Sequence, residues 1–198
     1  MSNMTRERII DQAMRLFGEH GYRATTISKI EAAAGLTPGA GGLYHHFDSK
    51  EAVLAAGVER QLARLDALRD IRRVFDSLGD LTAELTVTAR YVLTELDNES
   101  ELLRILASEA RNRPELLETA VERLINTTYS GFAAWIGERA TPAISDEQAA
   151  AVAAVGLGSL LSSRLVGHVL GVTLPVDDEV FVGTWVTMMH AAIEGASD

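Results

Sequence analysis

Cysteine is absent from this chain of 198 residues. Without a thiol, the protein forms no disulfide, has no thiolate nucleophile and binds no zinc or iron–sulfur cluster through cysteine. Basic residues are also scarce, since 18 Lys and Arg stand against 28 Asp and Glu and give a formal net charge of -10. Proteins that bind phosphates indiscriminately usually carry a basic surface. The composition therefore argues against a protein that binds nucleic acid indiscriminately.

Long uninterrupted apolar runs are missing too. The most apolar stretch, residues 149–172, contains Arg164 and His168, and the first residues carry several charges. We therefore predict neither a signal peptide nor a membrane span, and we expect a cytoplasmic protein. With 47% hydrophobic residues, the chain is long enough for one or two domains with a substantial core.

The charge is unevenly distributed along the chain. Residues 1–50 hold six basic against five acidic residues, whereas residues 51–198 hold twelve against twenty-three. Three of the five histidines also lie in the first fifty residues. Only this N-terminal segment is therefore expected to approach a polyanion.

Apolar residues recur at helical spacing along the whole chain, and no stretch shows the alternation of a strand. Residues 5–19 predict a first helix, and Thr25 or Thr26 can cap a second that ends at Gly35. Capping-box spacing occurs at Asp48–Glu51 and at Ser145–Gln148, Pro114 suits the first turn of a helix, and Asp177 or Asp178 can cap the last helix. We predict an all-α protein with a small N-terminal bundle and a larger helical body.

Two short helices joined by a glycine turn have the outline of a helix-turn-helix. In this interpretation residues 26–34 brace the unit and residues 37–46 form a helix that enters the major groove. The threonine hydroxyls lie at helix N-termini, where phosphates bind well. The predicted DNA-contacting residues are Thr25, Thr26, Thr37, Pro38, Gly39, Ala40, Gly41, Gly42, Tyr44, His45 and Lys50.

The run TTISKIEAAAGLTPGAGGLYHHFDSKEAVL resembles the DNA-binding signature of the tetracycline-repressor (TetR) family, and the preceding IIDQAMRLFGEHGYRATT resembles that family's first helix. The resemblance covers about residues 6–54. It implies an all-helical homodimer with a DNA-binding domain at 1–50 and an effector-binding and dimerisation domain at 51–198. It also implies that Thr26, Thr37, Tyr44, His45 and Lys50 contact phosphates or bases.

The segment from Gly35 to Tyr44 is about two residues longer than the commoner family spacing. Each of Gly39, Gly41 and Gly42 should cost a helix about 1 kcal/mol relative to alanine. We therefore expect a shortened or irregular recognition helix, in which backbone approach and phosphate contacts contribute much of the binding.

Two sets of residues in the body are candidates for the implied functions. A stripe of small residues on one helix and an apolar last helix predict a dimer interface at Gly156, Ser159, Ser163, Gly167, Phe181, Trp185, Met188 and Met189, with packing inside the chain as the alternative. Aromatic or polar groups on otherwise apolar helices are the candidates for a ligand pocket: Tyr91, Arg104, Tyr129, Phe132, Trp135, Arg164 and His168.

The leading hypothesis is a non-catalytic repressor that binds a palindromic double-stranded DNA operator as a homodimer and is released by a small-molecule effector. It needs no cofactor, and the adjacent His45 and His46 point to different helix faces, which disfavours a metal site. PGAGG lacks the Lys-Ser/Thr of a nucleotide-binding loop. Two alternatives stay open: a helical binding protein or enzyme with a vestigial helix-turn-helix, and an activator or co-repressor-dependent regulator.

Overall fold

The computed structural model describes residues 2–60, 63, 79–109 and 114–195, and over these ranges the protein is all-α, as predicted. Helix α3 occupies residues 50–60. The other elements in chain order are α1 (Ser2–His20), α2 (Ile27–Ala33), a short 3-10 helix (Gly42–His45) before α3, then α4 (Leu81–Asn98), α5 (Ser100–Glu109), α6 (Pro114–Arg139), α7 (Asp146–His168) and α8 (Asp178–Glu194).

The chain divides into two compact units. The first comprises Met1–Ala63 and Glu99–Ala120, and the second comprises Arg64–Asn98 and Val121–Asp198. The predicted boundary after residue 50 falls within the first unit, so the extent of a DNA-binding domain stays a prediction.

Helix α1 forms the centre of the first unit, where it packs against α2 and α5. Ile9, Ala13 and Phe17 lie on its buried face. Close packing depends on a missing side chain at Gly57 of α3, where a Cβ would lie 2.3 Å from Sδ of Met14. The absence of a side chain at Gly57 therefore leaves room for the Met14 side chain between α1 and α3.

Helices α4, α7 and α8 contact one another in the second unit, and α6 contributes aromatic residues to the same core. The Phe132 ring stacks on Trp135 at 5.4 Å and on Trp185 at 6.5 Å between centroids. The indole N–H of Trp185 donates to the carbonyl of Gly156 at 2.9 Å. A Cβ on Gly156 would lie 2.7 Å from Sδ of Met189, so the glycine lets α8 approach α7.

The predicted caps have different outcomes. Ser145 and Gln148 form the reciprocal capping box at the start of α7, and the Asp177 carboxylate accepts the N–H of Glu179 at the start of α8, so both predictions are confirmed. At α3 the predicted Asp48–Glu51 box is wrong, because the Ser49 hydroxyl accepts the N–H of Ala52. Serine one position later supplies the same acceptor oxygen.

Among the described helices, only α7 is long and apolar enough to cross a membrane. Ala153 and Leu160 of α7 are fully buried in the core of the second unit. Packing of one helix face in this core accounts for part of its apolar character, while another face stays exposed.

Candidate nucleic-acid interface

Helix α2 is the first helix of the helix-turn-helix outline. Thr26 is its N-cap, since its hydroxyl oxygen accepts the N–H of Lys29 at 3.3 Å while the residue remains exposed. Ile30 is fully buried and holds α2 against α1. The cap and the buried isoleucine therefore fix α2 with Thr26 facing solvent.

The recognition helix predicted over residues 37–46 is shorter than that range and irregular. Residues 38–41 form turns, and only Gly42–His45 forms a helix, of the 3-10 type. Gly39 and Gly41 have φ angles of 75° and 76°, in the left-handed region that a right-handed helix does not visit. The glycines thus build a compact loop, in line with the shortened or irregular recognition helix expected from the sequence.

We call residues 37–45 the reader. Its anchors are Leu43 and the following Phe47, which are both buried. Its exposed residues are Thr37, Pro38, Gly39, Ala40, Tyr44 and His45, whereas Gly41 and Gly42 are half-buried. Tyr44 is 55% exposed, an unusual state for a large aromatic residue. The reader therefore presents methyl groups, hydroxyls and backbone atoms to a partner.

Thr25 and Lys50 occupy different positions from the other predicted contact residues. Thr25 is fully buried, and its hydroxyl donates to the carbonyls of Leu16 and Gly21. The Lys50 ammonium donates to the carbonyls of Tyr22 at 2.8 Å and Thr25 at 2.9 Å, and it lies 4.1 Å from the centroid of the Tyr22 ring. Both side chains hold the turn between α1 and α2.

A cleft of about 410 Å³ lies beside Tyr44. The pKa of the Glu51 carboxyl is lowered, first by a hydrogen bond from its own backbone N–H and then by the Tyr22 hydroxyl. An ionised Glu51 disfavours a phosphate inside this cleft. The cleft is lined by Ile27, Ser28, Tyr44, Asp48, Ser49, Lys50 and Glu51.

Two of the predicted ligand contacts, Arg164 and His168, belong to an ion-pair cluster in the second unit. The guanidinium of Arg164 lies 2.8 Å from Asp97 and makes a bidentate pair with Asp178, and Nε2 of His168 lies 2.8 Å from Asp97. The hydrogen bond from Arg164 lowers the pKa of Asp178. A cavity of about 310 Å³ adjoins the cluster and is lined by Asp97, Ser163, Arg164, Gly167, His168, Val172, Thr173, Leu174, Val176, Asp178 and Phe181.

The remaining ligand candidates are dispersed. Tyr129 lines a second cavity of about 410 Å³ with Asn126, Ser130, Ala133 and Ala150. Phe132 and Trp135 are buried in the core, Tyr91 is half-buried on α4, and Arg104 belongs to α5 of the first unit. The cavities at Tyr44, Arg164 and Tyr129 each contain at most two of the seven candidates. No group of three His, Asp or Glu side chains suited to a metal ion occurs within the described ranges.

The predicted dimer residues divide into buried and exposed members. Gly156, Trp185 and Met189 are buried between α7 and α8 of the same chain, so packing within the chain accounts for their pattern. Ser163 is buried, while Ser159 and Phe181 are half-buried. Gly167 is exposed, and Met188 is 61% exposed.

Two features were missed in the sequence. The exposed face of α7 and α8 repeats small or apolar residues at helical spacing, a pattern that could have been recognised: Ala151, Ala154 and Val155 on α7, and Val180, Gly183, Thr184, Thr187, Met188 and Ala191 on α8. The second is Glu31, a charged residue in the apolar register of α2 with Ile27, Ile30 and Ala34. It is fully buried.

Comparison with known proteins relates this interface to a family. The family model described as "Bacterial regulatory proteins, tetR family" matches residues 9–56. The HTH-type transcriptional repressor AcnR of Corynebacterium efficiens is 42% identical over 65 residues, which cover 33% of this chain and 31% of that protein. The chain thus spans about a third of the length of the first curated relatives that it matches.

Solved structures share the whole fold. A TetR-family transcriptional regulator from Agrobacterium tumefaciens superposes with a TM-score of 0.71 at 18% identity, covering 96% of this chain and 98% of that one. AibR in complex with isovaleryl coenzyme A and operator DNA gives a TM-score of 0.65 at 22% identity, covering 93% and 97%. At these identities the likeness concerns the fold alone.

Proposed function

Because this chain belongs to the TetR family of bacterial regulatory proteins, we propose that it is a transcriptional repressor that binds a palindromic operator as a homodimer. A small-molecule effector releases it from the DNA. Residues 1–50 form the DNA-binding domain, and residues 51–198 bind the effector and dimerise. The single observation that carries the proposal is the exposed reader, which stands next to the buried turn that Thr25 and Lys50 hold together.

The proposed DNA contacts come from the exposed groups of the first unit. Thr26 and Thr37 offer hydroxyls, and the Tyr44 hydroxyl reaches a backbone phosphate. Pro38, Ala40 and His45 face base edges, and Gly39, Gly41 and Gly42 let the backbone approach the groove. Lys50 and Thr25 act indirectly, because their polar groups already hold the α1–α2 turn.

The proposed dimer forms through the exposed face of α7 and α8. This face contains Val155 at 65%, Val180 at 60% and Met188 at 61% exposure. The other residues of this face are Ala, Gly and Thr, which are small enough for helices of two protomers to approach closely. An isologous contact between two copies would cover the same face on each and create the two-fold symmetry that a palindromic operator needs.

The proposed effector site is the cavity at Tyr129, where an aromatic hydroxyl stands among small side chains. The cavity beside Arg164 is less suited to an anionic effector, because Asp97 and Asp178 already neutralise that guanidinium. If the effector lowers the affinity for the operator by some factor, bound operator must lower the affinity for the effector by that same factor.

Fluorescence anisotropy with purified protein tests DNA binding. The probes are labelled DNA from just upstream of the protein's own gene and a scrambled duplex of the same composition, each at two salt concentrations. Specific binding should be tighter to one duplex, and log K should fall with log salt at a slope near about -0.9 per neutralised phosphate.

If the protein does not bind the upstream DNA specifically, the next experiment selects binding sequences from a pool of random duplexes. A selected palindrome would support the proposal and reveal the operator. If no sequence is enriched, the repressor function is refuted, and the alternative of a helical binding protein or enzyme with a vestigial helix-turn-helix takes its place. Light scattering of the same sample tests the dimer independently of DNA.

A further inference from the structure

The carboxylate of Glu31 is buried directly beneath the reader. Its side chain has no exposed surface. Within the part of the chain that the structure describes, no Lys, Arg or His pairs with it. An ionised carboxylate in such a place is unfavourable unless hydrogen bonds replace the lost water. The bonds that Glu31 does make therefore account for its presence there.

Both carboxylate oxygens accept backbone N–H groups from the glycine-rich loop. Oε2 accepts from Gly39 at 2.7 Å, and Oε1 accepts from Leu43 at 3.1 Å. The backbone carbonyl of Glu31 also accepts the N–H of Leu36 at 2.8 Å. Glu31 thus bonds to the reader at two points and to the residue before it at a third.

The loop needs these acceptors because it is not an α-helix. In a regular helix over residues 37–46, the N–H of Leu43 would bond to the carbonyl of Gly39, and the N–H of Gly39, in the first turn, would need an acceptor from outside the helix. Gly39 and Gly41 break that pattern through their positive φ angles. Glycine also has the most backbone entropy to lose on ordering. Without an external acceptor, this segment would be poorly ordered.

We propose that Glu31 is the positioning residue of the reader. Its buried carboxylate accepts the N–H of Leu43, which a regular helix would satisfy through its own backbone, and the N–H of Gly39, which a helix N-terminus leaves without an acceptor, and so holds residues 37–45 in their binding conformation before DNA arrives. The two-residue extension of this segment and the buried glutamate then depend on each other, because the glutamate supplies the acceptors for the N–H groups of the extended loop. The proposal rests on the proposed function for its DNA consequence, but not for its structural one.

The test compares Glu31→Gln with Glu19→Gln. Glutamine is nearly isosteric, but its NH2 group faces one of the two donors, so one hydrogen bond is lost and a donor clash replaces it. Glu19 is exposed on α1 of the same unit, and its substitution removes the same charge outside the proposed interface. This control corrects for the general gain in DNA affinity that any lost negative charge brings.

Amide hydrogen exchange of the free protein is the first readout. In Glu31→Gln, exchange at Gly39 or Leu43 should accelerate by about tenfold or more, as expected for a lost charged hydrogen bond. Exchange at Ile9 and Ile10 in the core of α1 should stay as in the wild type. Unchanged exchange in the loop would overturn the proposal, and so would an equal acceleration at Ile9 and Ile10, which would mean general destabilisation.

Operator affinity is the second readout. Glu31→Gln should bind the operator about tenfold more weakly with the same salt slope, and Gly39 and Leu43 should regain protection in the complex. Local loosening with wild-type affinity would refute a role in DNA binding. If the wild type itself binds no selected DNA, the proposed function fails, while the exchange result still decides whether Glu31 holds the loop.

Discussion

Thymine methyl groups should be what the reader recognises most directly. Residues 32–47 contain no Lys or Arg, so the commonest side-chain contact to guanine is unavailable from this segment. Pro38 and Ala40 expose apolar side chains, and the exposed Thr37 has a methyl group beside its hydroxyl. Small apolar groups of this kind contact the C5-methyl group of thymine in the major groove. Replacing the thymines of both half-sites by deoxyuridine removes those methyl groups and leaves base pairing unchanged.

The expected loss follows from the burial of one methyl group per half-site. Each is worth about 0.8 kcal/mol, so two protomers lose about 1.6 kcal/mol, or about 15-fold in affinity. Anisotropy at several salt concentrations measures it, and the salt slope should not change because the phosphates are untouched. In the Ala40→Gly variant, the difference in affinity between the thymine operator and the uracil operator should be smaller than in the wild type. Equal binding of the two operators by the wild type would refute the reasoning.

Three further predictions concern other parts of the molecule. Lys50→Ala should lower the free energy of unfolding, measured by urea denaturation, by about 1–3 kcal/mol, because the hydrogen bonds to Tyr22 and Thr25 are lost. The slope of log K for DNA against log salt should not change. A slope reduced by about 1 per protomer without loss of stability would instead make Lys50 a phosphate contact. Met188→Asp should give monomers by light scattering, whereas the exposed Thr94→Asp on α4 should not; a Met188→Asp dimer would place the interface elsewhere. Because Arg164 lowers the pKa of Asp178, that carboxylate stabilises the fold above its unfolded pKa and stops doing so as the pH falls through its folded value. Asp178→Asn should therefore lower the free energy of unfolding by less than about 1 kcal/mol at pH 7, since Asp178 is exposed. In urea denaturation well below pH 3.8, the ordinary pKa of an aspartate, the variant and the wild type should be equally stable. A difference in stability that does not change with pH would contradict this.

Local signals in the sequence were sufficient for most helices. The capping box at Ser145 and the cap at Asp177 involve residues within three positions of each other, so their chemistry is legible without the fold. The helical spacing of apolar residues likewise places Leu85 and Ala89 on one face of α4, and both are fully buried. These elements could be predicted because each is determined by its own segment.

The site was harder to predict because its partners are distant in sequence. Lys50 bonds to a carbonyl 28 positions earlier, and Leu43 bonds to a carboxylate 12 positions earlier. The small-residue stripe containing Gly156 is compatible with a partner helix of a second chain or of the same chain, and Trp185 and Met189 of the same chain fill the space beside Gly156. A stripe shows that a helix comes close, but not which helix does.

The aromatic stack around Phe132 has an optical consequence. The sequence has two tryptophans, Trp135 and Trp185, and both belong to this stack in the second unit. Tyr22 and Tyr44 are the tyrosines of the first unit, so tryptophan emission excited at the red edge reports on the second unit alone. A change in that emission when the reader binds an operator would then show, without a label, that DNA binding to the first unit alters the tryptophan environment of the second. Unchanged emission would mean that the tryptophan environment does not respond to DNA.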